Sequence, residues 1–126
     1  SRWIMAVTAT NQTLSLGADV IHDNAPGLTA VEDVTGGAGT WYTIVYKSGD
    51  ANTAYLKLFD SADITPGTTQ PNWILQMKPN DTTVWTVPDG VTFTNGLSYF
   101  VSEENGKEAT TAPSGTNKLT IIVKRS

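Results

Sequence analysis

His22, in the stretch VIHDN, is the single histidine of the chain, and there is no cysteine. Multi-histidine metal centres and thiol chemistry are thereby excluded. A titrating imidazole needs an oriented partner to work, and this stretch announces none. The residue reads as a surface or turn position. The acids are scattered: Glu103, Glu104 and Glu108 fall near one loop, and Asp60 and Asp63 flank a polar link. A glycosidase needs two carboxyl groups held roughly 5–10 Å apart in a cleft, which no spacing here establishes. Asp60, Ser61 and Asp63 in DSADITPGT offer oxygens of the kind calcium takes. That loop lacks the central Gly and terminal Glu of an EF-hand, however, and Asp side chains capping turns are the reading. The cluster TGGAGT (35–40) lacks the Lys and following helix of a phosphate-binding loop. Four Trp and four Tyr raise sugar stacking as a chemistry. Trp41, Trp73 and Trp85 nevertheless sit among apolar neighbours in strand-like runs, where packing is the default. No catalytic, cofactor-binding or metal-ligating set is expected, and a glycan is the less favoured partner.

The elements that carry these residues read as β-strands. RWIMAVT (2–8) alternates as an N-terminal strand or arm, a short strand is expected near 13–16, and LTAVEDV (28–34) alternates weakly. TWYTIVYK (40–47) is the first strong strand, with Tyr42, Ile44 and Tyr46 on one face and Trp41, Thr43 and Val45 on the other. AYLKLFD (54–60) sets Ala54, Leu56 and Leu58 against Tyr55, Lys57 and Phe59. NWILQMK (72–78), TTVWTVP (82–88), LSYFVSEE (97–104) and KLTIIVK (118–124) follow, separated by Asp-Gly and Asn-Gly turn signals. LGADVIHDN is the one helical candidate, and it ends at a proline. About eight strands without a convincing helix predict one all-β domain over residues 1–126, an antiparallel sandwich of Greek-key or jelly-roll type, with an extended arm at 1–10. The long polar link after Asp60 is expected to arch from one sheet to the other, stiffened by Pro66 and Pro71.

Bulk composition agrees. The chain has 126 residues, enough for a core without disulfides or metal. Net charge is -4 with only 8 basic residues, so the basic footprint of a nucleic-acid binder is missing. No apolar run approaches the ~18 residues of a spanning helix, and SRWIMAVTAT lacks the apolar core of a secretory signal. Several strands carry apolar residues on both faces. Trp41, Tyr55, Phe59 and Trp85 fall opposite the faces assigned inward, a surplus that association with copies or a partner would cover.

The run from YLKLFD through PGTTQP to VPDGVTFTNGLSYFV resembles small β-sandwich virion proteins of tailed bacteriophages. Tyr55, Leu56, Lys57, Leu58, Pro66, Gly67, Thr68, Pro71, Pro88, Gly90, Phe93, Gly96 and Leu97 carry the likeness. It covers the middle and end of the chain and nothing in the first 40 residues. The resemblance implies a non-enzymatic structural role, as a head decoration (cement) protein or a fibre-associated module, and it transfers no catalytic residues. The expectation is a homotrimer made in the host cytoplasm and placed on the capsid surface, with the major capsid protein or another virion protein as partner. No cofactor, nucleic acid or membrane enters. Arg2, Trp3, Trp41, Tyr55, Phe59 and Trp85 are the candidate interface. A carbohydrate- or receptor-binding module of a tail or fibre is the alternative.

Overall fold

The computed structural model describes residues 7–10, by their backbone, and 18–126. Among the described residues eight strands are formed: β1 (Val7–Thr10), β2 (Asp19–Asp23), β3 (Gly39–Lys47), β4 (Ala54–Asp60), β5 (Trp73–Met77), β6 (Thr82–Phe93), β7 (Leu97–Ser102) and β8 (Lys118–Arg125). They pair antiparallel in two sheets, ordered β1-β2-β8-β3-β6 and β5-β4-β7. The all-β sandwich read from the alternating runs is what the chain builds.

Alternation decides which residues meet between the sheets. Leu56 pairs across with Leu75 and Val101, and Leu58 with Trp73 and Tyr99. From the other sheet Ile21, Ile44 and Ile121 stand in one row, and Tyr46 and Leu119 in the next. These side chains form one contiguous core, most of them completely buried. Each large aliphatic or aromatic side chain so buried contributes about 1.5–3 kcal/mol relative to exposure.

Three expectations change. The stretch 19–23 is strand β2; its alternation is only five residues long and closes on an acid at each end, which hides it in a polar region. The run 28–34 is irregular and contributes a single bridge, Val31 to Tyr99. The strand expected at 13–16, and residues 2–6 of the first one, lie outside the described residues. The link 61–72 does not cross between sheets, because β4 and β5 are adjacent strands of the same sheet. Its length has another cause. The outer face of β4 and β7 carries Phe59 and Phe100, stacked at 5.8 Å, and the loop lays Ile64 over them. Thr68 and Thr69 amides close a turn on the Thr65 carbonyl at 2.9 Å, and the Gly67 amide reaches the Lys107 carbonyl at 3.1 Å. The chain changes sheets instead at the β3–β4, β5–β6, β6–β7 and β7–β8 links.

Candidate functional site

The residues expected to form an interface part company. Arg2 and Trp3 lie outside the described residues. Trp41 is a core residue, 3% exposed, because β3 carries a bulge between Trp41 and Thr43. Trp41 faces Val123 while Thr43 faces Ile122, so one extra residue restores Trp41 to the face of Ile44 and Tyr46. Its ring meets Trp73 edge-on at 6.3 Å. Phe59 is covered by the chain's own loops and needs no partner to leave water. Tyr55 is half-buried beside Ser102 and Gln76 on the outer face of the small sheet. Trp85 alone of the described candidates is exposed, at 39%.

The exposed large apolar side chains stand on the two edge strands but point in different directions, Ile74 sharing the outer face of the small sheet with Lys57. Strand β6 ends one sheet and β5 ends the other, and a short turn at 78–81 joins them on the same side of the sandwich. Trp85 pairs with Ile44, so it points toward the inter-sheet space where that space opens to solvent. Val84, on the opposite face, is 58% exposed, and Ile74 on β5 is 37% exposed. From Thr82 to Val87 the strand TTVWTV carries no charge, and among the described residues its outer edge has no pairing strand. An uncharged, apolar free edge is the part of a sheet most ready to meet another surface.

The edge is broken further along. Pairing jumps from Thr43–Thr86 to Trp41–Val91, leaving Val87–Gly90 to loop out. Gly90 has φ of +78°, and a Cβ there would stand 2.2 Å from the Thr40 methyl and 2.8 Å from the Tyr42 ring. Only glycine fits. Beside this loop lies a shallow recess of about 250 Å³ lined by Ala18, Tyr42, Pro88 and Lys124.

The chemistry-bearing side chains serve structure in their observed positions. His22 is exposed, with Nδ1 3.1 Å from the Thr120 hydroxyl. Asp60 accepts the Thr94 and Asn95 amides at 3.0 and 2.8 Å, capping the β6–β7 turn rather than its own loop. Ser61 and Asp63 close a local turn, the hydroxyl donating to the Asp63 carbonyl at 2.8 Å. The three glutamates do not converge on one cleft. Glu104 accepts the Thr110 and Thr111 amides at 3.0 and 3.1 Å. Partial burial pushes its carboxyl up, but hydrogen bonds from Thr111, Thr110 and Ser102 outweigh that and hold it down at about 2. Glu103 faces Asn52, and Glu108 contributes its backbone carbonyl to Lys57.

Lys57 is the feature that alternation placed on the right face without revealing its state. It is fully buried on the outer side of β4. Its ammonium donates to the Ser102 hydroxyl and, at 3.2 Å, to the Glu108 carbonyl, and lies 5.1 Å from the centre of the Phe100 ring. Burial lowers its pKa, and attraction to Glu104 and Glu108 only partly opposes this. A second buried polar pair ties the sheets together: the Tyr99 hydroxyl donates to Asp23 Oδ2 at 2.7 Å. The Tyr99 hydroxyl is held far above its ordinary range by burial, then by the Asp23 charge and hydrogen bond.

Comparison with known proteins finds no family model that matches the chain, no matching curated protein and no matching solved structure.

Proposed function

We propose that the protein is a non-enzymatic structural module of a bacteriophage virion, a capsid-decorating β-sandwich that associates with its own copies, as a trimer, and with the capsid protein. The observation that supports this reading is Trp85, exposed at the uncharged edge of β6 that has no pairing strand among the described residues. Aromatic and aliphatic side chains at the centre of a patch supply most of the affinity in protein interfaces. The sequence likeness between 55 and 101 supplies the virion context. Light scattering on the purified chain, with co-sedimentation against intact virions and decoration-free capsids, tests it. Self-association and saturable capsid binding, both weakened by Trp85→Ala without loss of folding, are expected. A monomer at high concentration that ignores capsids would refute it.

The exposed ring of Trp85 also favours a second reading, stacking on a sugar face within a receptor-binding module. Glycan binding that Trp85→Ala abolishes, in a chain that does not sediment with capsids, would select it over decoration.

A further inference from the structure

Asparagine precedes glycine twice in the chain, at Asn95–Gly96 and at Asn105–Gly106. Glycine has no side chain to shield its amide nitrogen, so that nitrogen can reach the side-chain carbon of the asparagine before it. Whether it does depends on the freedom of the backbone to bring the two atoms into attacking geometry. The two pairs start equal in sequence, and the fold treats them differently.

Asn95–Gly96 lies in the turn between β6 and β7, and it is fastened on both sides. Asp60 Oδ1 accepts the Thr94 and Asn95 amides at 3.0 and 2.8 Å. The Leu97 amide donates to the Thr35 hydroxyl at 3.3 Å, and the Leu97 carbonyl accepts the Val34 amide at 2.9 Å. Gly96 is buried, and a Cβ there would stand 2.4 Å from Asp33 Oδ1. Asn105–Gly106 lies instead at the tip of the loop after β7, with Asn105 exposed and Gly106 half-buried. Among the described residues neither of their amides donates a hydrogen bond. The loop is anchored only to either side of the tip: the Glu104 carboxylate on the Thr110 and Thr111 amides, and the Lys107 carbonyl on the Gly67 amide. An exposed, unbonded tip opens at little cost, whereas a fastened turn does not.

We propose that Asn105 is a modification site at which the folded chain deamidates spontaneously, and that the fold protects Asn95 from the same reaction. The Gly106 nitrogen loses its proton and bonds to Asn105 Cγ. The Cγ–Nδ2 bond breaks, and ammonia leaves with a proton. Water then opens the cyclic imide at either of its carbonyls. Opening one way leaves an aspartyl side chain; opening the other leaves an isoaspartyl link, with one extra carbon in the backbone. Either product carries a new carboxylate at neutral pH, on a loop that already holds Glu103, Glu104 and Glu108. The extra backbone carbon falls between the Glu104 and Lys107 anchors, in the loop whose Glu108 carbonyl receives the Lys57 ammonium.

The experiment ages the full chain at mildly alkaline pH, folded in buffer and, in parallel, unfolded in guanidinium chloride. Fragmentation of the tryptic peptide that spans both positions assigns each conversion of amide to carboxyl by mass. In the unfolded chain the two positions are expected to convert at similar rates. In the folded chain Asn105 is expected to convert about ten- to a hundredfold faster than Asn95, the range that attacking geometry alone commands. Isoelectric focusing follows the added charge: a more acidic species should accumulate in the aged parent and far more slowly in Asn105→Gln, whose longer side chain has to close a larger ring. Equal rates at the two positions in the folded chain overturn the proposal, as does an Asn105 that converts only in guanidinium chloride.

Discussion

Replacing Lys57 separates the work of its charge from the work of its bulk. The ammonium is withdrawn from water onto the Ser102 hydroxyl, the Glu108 carbonyl and the Phe100 face. Lys57→Met keeps most of the volume and discards the charge. It orphans nothing, because Ser102 still donates to the Glu108 carbonyl at 2.8 Å and accepts the Glu104 amide at 3.3 Å. The lost charge-assisted bonds, about 1.5–3 kcal/mol each, oppose a desolvation penalty of several kcal/mol. Lys57→Met is therefore expected within about 1 kcal/mol of the parent at pH 7. Lys57→Ala opens a cavity beneath the 103–112 loop and is expected to cost about 2–4 kcal/mol. The pH dependence carries the sign. Burial lowers the folded pKa of Lys57 below 10.5. Below that folded value both folded and unfolded chains hold the proton, and the penalty is constant. Between it and 10.5 the unfolded chain binds more protons, so the parent gains stability as pH rises, and Lys57→Met does not. Urea unfolding followed by tryptophan fluorescence, at several pH values from 7 to 10.5, measures both effects. A methionine variant as unstable as the alanine variant at pH 7, or a parent–methionine difference that ignores pH, would refute the reasoning.

Tyr99→Phe removes the hydroxyl that donates to Asp23 Oδ2 at 2.7 Å and leaves that buried oxygen without its donor; denaturant unfolding should show a loss of about 1–3 kcal/mol. Glu104→Gln should lower stability by on the order of 1 kcal/mol above pH 5, after discounting for solvent. Its acid limb should flatten too: a carboxyl held down at about 2 stabilises the fold above its unfolded value, and that stability is lost as pH falls toward 2. Thermal melts of parent and variant from pH 2 to 6 check this, and parallel acid limbs would count against it.

Alternation with period two was enough to place the core. Leu56 and Leu58 on β4, Leu75 and Met77 on β5, and Leu119, Ile121 and Val123 on β8 face inward as their spacing demands, since successive strand residues must point to opposite sides. Composition likewise determined the all-β class, and the single histidine set the limit on chemistry. Where an inserted residue breaks the period, as at Trp41, spacing assigns the wrong face, because the bulge exists only once β3 pairs with β8 and β6. Which strands become neighbours was also a tertiary decision. The link after Asp60 reads as a crossover until β4 and β5 are seen side by side. The apolar outer face of the small sheet demanded a cover, and local sequence could not say that Ile64 of this same chain supplies it. The two Asn-Gly pairs are of the same kind. Identical in sequence, they are told apart only once folding brings Asp60 onto the amides of Thr94 and Asn95.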